Sequence, residues 1–319
     1  MINSLKSPTV DGASDGMLPT TSCSLPSSYG ISFPRRSGRV ICRFSCGAAS
    51  AVATKLAIEK YGLDAVEIYY TDTGGEHEDN VRFRLECEAW FGNPVIVLKS
   101  EKYADIDEVF EARKFLVNHM GAPCTGEMKR IPGDKVWQIG DVEIYGYHAA
   151  ESHRVKKWQR QNNEKIIECP LIERSLTKED CIGILDRVGI MPPFMYLLGF
   201  LNNNCIGCVK ARDNINYWKR TRKYFPTVYW RRAAQERKFR VAINRITRKG
   251  VRSEIYLDEI EEGDPTGPDF AVTCGLFCMA EGDALASESQ REAAGTADEK
   301  PDGQAENAEV KRGALDSEN

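Results

Sequence analysis

The stretch VICRFSCGAASAVATKLAIEKYGLDAVEIYYTDTGGE, residues 40–76, decides the fold. It opens with an apolar run over 40–45 that is typical of a buried β-strand. Small residues then lead into a helical pattern from Ala48 to Tyr61, and a second apolar run over 65–71 predicts another buried strand. A strand, a helix and a strand in this order form the βαβ unit of a parallel sheet.

The same alternation continues along the chain, so the whole central region is predicted to be α/β. The further predicted elements are, in chain order, helix Glu78–Phe91, strand Pro94–Leu98, helix Ile106–Met120, strands Val142–Tyr147 and Ile166–Cys169, and helix Lys178–Val188, which Thr177 would cap. Alternation of this kind predicts a three-layer α/β/α, Rossmann-like fold with a mostly parallel sheet. Such sheets bind ligands at the carboxyl ends of their strands, so we expect the functional loops to be strand-to-helix turns.

Composition points to an ordinary globular protein that lies free of the membrane. Of the 319 residues, 42% are hydrophobic and 28% charged, which disfavours collagen, coiled coil and wholesale disorder. The longest apolar run, Phe194 to Leu201, is far shorter than the roughly 20 residues that cross a bilayer, and we see no secretion signal. The 11 cysteines are an odd number without secretory features, which favours a reduced cytoplasmic setting.

The loop after the first strand is a candidate phosphate site. It reads Ser45, Cys46, Gly47, Ala48, Ala49, Ser50. A glycine lets backbone approach a ligand closely, and the amides of a helix N-terminus together with serine hydroxyls suit phosphate or sulfate oxygens. The same residues are also typical of a plain tight turn, so the motif alone leaves both interpretations open.

Polar residues follow the later strands as well. Asp72, Thr73 and Gly74 end the second strand, where Asp72 could bind ribose hydroxyls or a metal, or could simply cap the next helix. Two basic clusters come further on, and the residues of interest in them are Lys129, Arg130, Glu151 and Arg154.

This order of motifs resembles the phosphoadenosine phosphosulfate (PAPS) reductase family of the PP-loop, or adenine nucleotide alpha-hydrolase, superfamily. The motifs are a small-residue loop with serines, Asp-Thr-Gly, Cys-Thr with Lys and Pro, and Gly followed by Glu-Ser and Arg. The match runs from about Val40 to Cys278, and NNNCIGCVK at 202–210 with TCGLFC at 273–278 resembles the bacteriophage and prophage branch in particular. The resemblance implies that the loop over 45–50 holds the phosphate or sulfate end of an adenine nucleotide, and that the basic residues neutralise its charge.

Two departures from the family pattern stand out. ATP pyrophosphatases of the superfamily usually read Ser-Gly-Gly-x-Asp-Ser, whereas this loop has Cys46 for the first Gly and Ala49 for the Asp. The missing carboxylate weakens a Mg-ATP interpretation. The sulfonucleotide reductases end in Glu-Cys-Gly-Leu-His with a nucleophilic Cys; here Cys274 aligns, while Thr273 and Phe277 replace the Glu and the His.

Two pairs of cysteines suggest a second site. Cys205 and Cys208 form a CxxC, and Cys274 and Cys278 form a CxxxC. Four thiolates in two short loops suit a tetrahedral zinc or a [4Fe-4S] cluster, although unligated cysteines would give the same pattern. Cys274 therefore has two incompatible candidate roles, because a metal ligand is held while a nucleophile must be free to attack.

The segment over 209–252 is strongly basic, with fifteen Lys and Arg against two acidic residues and with aromatic residues interleaved. Such a mixture can stack bases while neutralising phosphates, so a nucleic acid is a candidate partner. The alternative is a pair of amphipathic helices, separated at Pro226, whose aromatic rings pack on the sheet and whose charges are solvated or meet acidic residues.

Together these features predict four regions: a disordered leader over 1–37, a PAPS-reductase-like nucleotide-binding domain over 38–200, a helical, basic and cysteine-bearing portion over 201–279, and a disordered acidic tail over 280–319. The resemblance implies an enzyme acting on PAPS, adenosine phosphosulfate (APS) or ATP. In the reductase version the Cys274 thiolate attacks the sulfur of a sulfated nucleotide, and a thioredoxin-like reductant regenerates the enzyme. The alternatives are an ATP-dependent sulfurtransferase that modifies nucleic acid, and a nucleic-acid-binding module with a degenerate nucleotide site.

Overall fold

A computed structural model describes residues 38–118, 121–248 and 250–266, which all belong to one compact unit. Its centre is a sheet of five parallel strands in the order β3-β2-β1-β4-β5. The strands are β1 Val40–Arg43, β2 Val66–Thr71, β3 Val95–Leu98, β4 Val142–Ile144 and β5 Ile166–Glu168. The prediction of a three-layer α/β/α, Rossmann-like fold is confirmed.

Helices and one hairpin complete the described chain. The helices are α1 Ala48–Tyr61, α2 Asn80–Phe91, α3 Ile106–Arg113, α4 Ile131–Val136, α5 Ser152–Gln161, α6 Pro170–Glu173, α7 Lys178–Arg187, α8 Phe194–Leu197, α9 Ile215–Tyr224 and α10 Pro226–Phe239, with a π-helix at Thr125–Arg130 directly before α4. The antiparallel hairpin consists of β6 Asn244–Arg248 and β7 Val251–Ile255. Among the described residues, no helix combines the length and the apolar character that a membrane crossing requires.

The two faces of the sheet differ in chemistry because side chains alternate along each strand. Cys42 and Phe44 pack into a wholly apolar core that also contains side chains of α1, α2 and α7. Arg43 points to the opposite face, where it reaches Glu143 of β4 and the backbone of Gly133 in α4. Helix α5 contributes to that face through Val155, which packs with Tyr145 and Tyr147.

A second apolar cluster joins α3 to the later part of the chain. Val109 and Phe110 of α3 pack with the fully buried rings of Trp218 in α9 and Tyr229 in α10. The CxxC cysteines belong to this cluster too. Residues on both sides of position 200 therefore share one core.

Most of the predicted elements are observed, with shorter ends. Helix α1 has the predicted bounds, α10 begins at Pro226, and Thr177 caps α7 by accepting a hydrogen bond from the Asp180 amide. The predicted helix Ile106–Met120 ends already at Arg113, since Lys114 adopts a left-handed backbone that terminates α3. Sequence reasoning missed α5 and also the hairpin, part of which lies within the segment considered as two helices.

Candidate functional site

A cavity of about 220 Å³ opens at the carboxyl ends of β1 and β4. The strand order reverses between these two strands, because β2 and β3 lie on one side of β1 whereas β4 and β5 lie on the other. Ligands of open α/β sheets bind at such reversal points. We call this cavity the switch-point pocket.

The loop over 45–50 forms one wall of the pocket and is held in shape by Ser50. The Ser50 hydroxyl accepts hydrogen bonds from the amide of Ser45 at 3.1 Å and the amide of Gly47 at 3.3 Å, and it donates to the Gly47 carbonyl at 2.9 Å. The Ser45 hydroxyl lies 3.1 Å from it as well. Two of the loop amides are thus bonded within the loop itself.

Two glycines of the pocket wall have different reasons to be glycine. A Cβ on Gly146 would lie 2.6 Å from the backbone N and Cα of Ser50, so the chain after β4 passes too close to α1 for any side chain. A Cβ on Gly47 would meet only the Tyr196 hydroxyl at 3.4 Å and the Ser45 hydroxyl oxygen at 3.8 Å. Close approach therefore requires glycine at Gly146, the glycine of the Gly, Glu-Ser and Arg motif, which was not predicted as a site residue. Gly47, by contrast, has room for a side chain.

Four positively charged side chains line the pocket, and three of them are paired with carboxylates. Arg43 binds the fully buried Glu143, with 2.7 Å between Nε and Oε1. The Lys129 ammonium lies 3.5 Å from Glu76, and Arg154 is paired with Glu151. The Arg154 guanidinium also lies 5.0 Å from the centre of the Tyr147 ring.

The fourth cation is Lys178, the first residue of α7. Its ammonium donates to the Asn202 side-chain carbonyl at 2.6 Å and lies 4.8 Å from the centre of the Tyr196 ring. Burial lowers the pKa of Lys178 from its usual 10.5 to about 8, because the charged form is poorly solvated there. Burial also raises the pKa of Tyr196 to about 12, so this phenol is neutral at physiological pH.

The sequence-predicted nucleotide residues fall into two groups. Those that line the pocket are Ser45, Gly47, Ser50, Lys129, Glu151 and Arg154. Those that lie outside the pocket lining are Cys46, Ala48, Asp72, Thr73, Gly74 and Arg130. The structure thus brings six of the twelve residues to one cavity.

The residues outside the lining have other contacts. The Cys46 side chain is fully buried, and burial raises the pKa of its thiol well above the usual value. Asp72 accepts a hydrogen bond from the Gly74 amide at 2.9 Å and pairs with Lys99 at 3.1 Å, which is the geometry of a turn. The Thr73 hydroxyl lies 3.1 Å from the sulfur of Cys205.

Several lining residues were missed by sequence reasoning. They are Arg43, Phe44, Tyr69, Tyr145, Tyr147, His148, Lys178, Tyr196 and Asn202 to Asn204. Some had an available signal, since Phe44 and Tyr145 to His148 directly follow the strands β1 and β4. Lys178 and Tyr196 reach the pocket through tertiary packing, for which the local sequence gives no signal. The three asparagines belong to NNNCIGCVK at 202–210, a segment noted for its resemblance but not as part of the nucleotide site.

The predicted four-cysteine site is only partly within the described residues. Cys205 and Cys208 are buried and line a separate small cavity of about 10 Å³ together with Cys124. Cys274 and Cys278 lie outside the described residues. Within the ranges 38–118, 121–248 and 250–266, no group of three or more His, Cys, Asp or Glu side chains is arranged to hold a metal ion. These residues by themselves therefore do not fit zinc or a [4Fe-4S] cluster.

The basic segment is extensively compensated by carboxylates. Arg231 and Arg232 both pair with Asp107, and Arg245 and Arg252 both pair with Asp213. The other ion pairs of this segment are Arg222–Glu262, Lys223–Asp264, Arg237–Asp258, Arg237–Glu259 and Lys238–Glu111. Of its aromatic residues, Tyr217, Trp218 and Tyr229 are buried, whereas Tyr224 and Trp230 are exposed. These contacts favour packed amphipathic helices over a surface for nucleic acid.

Comparisons with known proteins give only distant structural likenesses. No protein-family model matches the sequence, and no curated protein matches it. Among solved structures, the chain is similar to a phosphoadenylyl-sulfate (PAPS) reductase from Candida auris in complex with phosphate, at a TM-score of 0.39 and 11% sequence identity. The alignment covers 52% of this chain and 80% of the reductase.

Proposed function

We propose that the switch-point pocket binds an adenine nucleotide through its anionic group, and that the chain is an enzyme with chemistry of the PAPS reductase type. The observation that carries the proposal is the gathering of four cations at the reversal point of the sheet, beside the N-terminus of α1. Helix N-termini and basic side chains at such a point favour phosphate or sulfate. The order of sequence motifs supports the choice of an adenine nucleotide.

Aromatic side chains supply a surface for the base. Phe44, Tyr69, Tyr145 and Tyr147 all line the pocket. Rings of this kind stack on planar heterocycles, and stacking depends little on which base is present. The pocket therefore combines an apolar, aromatic part with a positively charged part, as an amphiphilic nucleotide requires.

The carboxylates of the pocket favour a ligand that needs no magnesium ion. Glu151 is the one carboxylate among the described lining residues, and it is held by Arg154 and by His148, whose Nε2 lies 3.2 Å from Oε2. Mg²⁺ prefers carboxylate oxygens that are available for coordination. This donor set favours a sulfated nucleotide such as PAPS or APS over Mg-ATP.

The proposed reaction is reductive transfer of the sulfonate group to a cysteine. A thiolate attacks the sulfur of the sulfated nucleotide, the sulfur–oxygen bond to the phosphate breaks, and the nucleotide phosphate leaves with the electron pair. A dithiol donor of the thioredoxin type then attacks the cysteine sulfur, releases sulfite and is oxidised to its disulfide. Cys274 is the proposed nucleophile, and the pocket cations stabilise the negative charge on the leaving phosphate.

Calorimetry with a panel of nucleotides tests this proposal. We expect PAPS or APS to bind more tightly than AMP, and ATP to gain nothing from added Mg²⁺. Incubation with a sulfated nucleotide and a dithiol should release sulfite. Release of pyrophosphate from ATP would instead identify the sulfurtransferase class, and a purified protein that binds none of these nucleotides would overturn the proposal.

A further inference from the structure

The charges around the switch-point pocket are unevenly balanced. Arg43, Lys129 and Arg154 each have a carboxylate partner, namely Glu143, Glu76 and Glu151. Lys178 instead contacts an amide oxygen and a neutral aromatic ring, and no carboxylate pairs with it among the described residues. Its positive charge is therefore the least compensated in the pocket.

The surroundings of Lys178 add to this excess of positive potential. Lys178 is the first residue of α7, a ten-residue helix, and a cation at a helix N-terminus is opposed by the helix dipole. The amide of Ala48, at the start of α1, donates to the hydroxyl of Tyr196, whose ring lies against the lysine. Lys178 thus begins one helix, and the ring that it contacts belongs to a tyrosine bonded to the N-terminus of a second.

The carboxylates nearest to Lys178 act only at a distance. Glu179, the next residue of α7, and Glu151, which also lines the pocket, both favour its charged form. Burial outweighs them, because the net effect is a lysine pKa of about 8 instead of 10.5. The phenol of Tyr196 adds no charge near neutral pH, since its own pKa is about 12.

We infer that Lys178 is the side chain that binds the anionic group of the pocket's ligand, and that it exchanges the Asn202 carbonyl for an anion oxygen when it does so. A phosphate or sulfate oxygen makes a charge-assisted hydrogen bond, which is stronger than the bond to a neutral amide. That the ligand carries a nucleoside rests on the proposed function, whereas the binding of its anionic group by Lys178 does not.

Proton uptake should accompany binding. A bound anion favours the ammonium form, so it raises the lysine pKa, and a protein in which Lys178 is partly neutral must take up a proton. Affinity for the anion should consequently fall as the pH rises through about 8. If Lys178 only shaped the pocket, the affinity for the anion would not depend on pH in this way.

The test uses AMP, adenosine and inorganic sulfate as probes of the whole chain. Lys178→Met should weaken AMP binding by about 10- to 100-fold, the range expected for one hydrogen bond to a charged group, and should change adenosine binding by less than about twofold. Lys178→Arg should retain most of the AMP affinity. Lys102→Met removes a charge from an exposed lysine away from the pocket and should leave both affinities unchanged.

Calorimetry in buffers of different ionisation heat measures the proton directly. At pH 8 the wild-type protein should take up about half a proton per AMP, since the lysine pKa is about 8. Lys178→Arg should take up none, because arginine stays charged. Asn202→Asp places a carboxylate where the amide was, so it should abolish proton uptake and weaken AMP binding.

The outcomes separate this inference from the proposed function. Full AMP affinity and unchanged proton uptake in Lys178→Met would overturn the inference while leaving nucleotide binding intact. If AMP does not bind but sulfate still raises the melting temperature of the wild type and not of Lys178→Met, the inference holds and the nucleotide proposal fails. Equal losses for AMP and adenosine would show a structural role and overturn the inference.

Discussion

At the scale of single residues, Gly146 is a position where the surrounding backbone leaves no room for a side chain. A Cβ at this position would meet the backbone of Ser50, and backbone cannot move aside as a side chain can. We expect Gly146→Ala to destabilise the protein by about 1–3 kcal/mol, as overpacking does, and to weaken nucleotide binding by pushing β4 away from α1. Urea denaturation and calorimetry measure the two effects.

Gly47→Ala is the matched control, because its new methyl group would have ordinary contacts of 3.4 Å and more. We expect little loss of stability from it. Equal destabilisation by both alanine variants would contradict the close-approach argument for Gly146.

Ser50 is the second residue with a specific prediction. Its hydroxyl is buried and accepts from two loop amides, so Ser50→Ala leaves these donors without their acceptor. We expect a loss of about 1–3 kcal/mol in the free energy of unfolding, together with weaker nucleotide binding through a looser loop. Ser45→Ala removes one hydroxyl contact of the same network and should cost clearly less. A Ser50→Ala protein with wild-type stability in urea would show that the network is dispensable.

At the scale of elements, the β6–β7 hairpin depends on one buried carboxylate of α10. Glu236 accepts hydrogen bonds from the amides of Ile243 and Leu257, both at 2.6 Å, so it joins the helix to both ends of the hairpin region. Burial raises the pKa of Glu236 from its usual 4.5 to about 7, even though the two amides favour the charged form. Between about pH 4.5 and pH 7, Glu236 therefore keeps a proton in the native state that it loses in the unfolded chain.

The sign of the pH effect follows from this difference. Because the native pKa is the higher one, the contribution of Glu236 is fully present below about pH 4.5 and is lost as the pH rises through about 7, by about 3 kcal/mol in total. Glu236→Gln does not titrate, so wild type should lose stability relative to this variant between pH 5 and pH 8. Urea denaturation of both proteins at the two pH values measures the change, and a difference that stays constant with pH would refute the shifted pKa.

The sheet and its main helices could be predicted from sequence because their signals are local. The apolar runs of β1 and β2 and the small-residue helix α1 alternate over only 32 residues, from Val40 to Thr71, and Thr177 carries its own capping signal. The π-helix that carries Lys129 and the hairpin gave no comparable periodicity. The contacts that close the pocket were harder still to predict from the sequence. Tyr196 and Asn202 reach the pocket only once the later part of the chain packs on α1.

At the scale of the whole molecule, charge balance changes the interpretation of the sequence. Fifteen basic residues over 209–252 look like a surface for a polyanion. In the fold, however, Asp107 and Glu111 of α3 lie more than a hundred positions away in the chain and meet Arg231, Arg232 and Lys238. Carboxylates brought by tertiary packing cannot be counted from a local window. The same limit hid Glu143 and Glu76 as the partners of the pocket cations Arg43 and Lys129.

Experiment has to separate the two roles of Cys274, because that residue and Cys278 lie outside the described residues. If the four cysteines share a metal or cluster, folding energy depends on all of them, since metal bound to the native state is itself stabilising. Each Cys→Ser change at 205, 208, 274 or 278 should then release metal and lower the melting temperature. Anaerobic purification followed by metal, iron and sulfide analysis measures the first effect, and calorimetry the second.

Cys274→Ser separates the alternatives, with Cys208→Ser as its partner in the comparison. Under the reductase alternative, Cys274→Ser alone eliminates sulfite formation while metal content and melting temperature stay at wild-type values, because a nucleophile contributes chemistry without holding the fold. The four-ligand alternative requires both variants to lose metal and stability together. Cys208 is buried beside Cys205 and Cys124, so its substitution tests the cavity within the described fold, whereas Cys274→Ser tests the pair outside the described residues. A Cys274→Ser protein that keeps its metal and its stability would therefore exclude the four-cysteine site. Loss of sulfite formation in the same protein would identify Cys274 as the attacking thiolate.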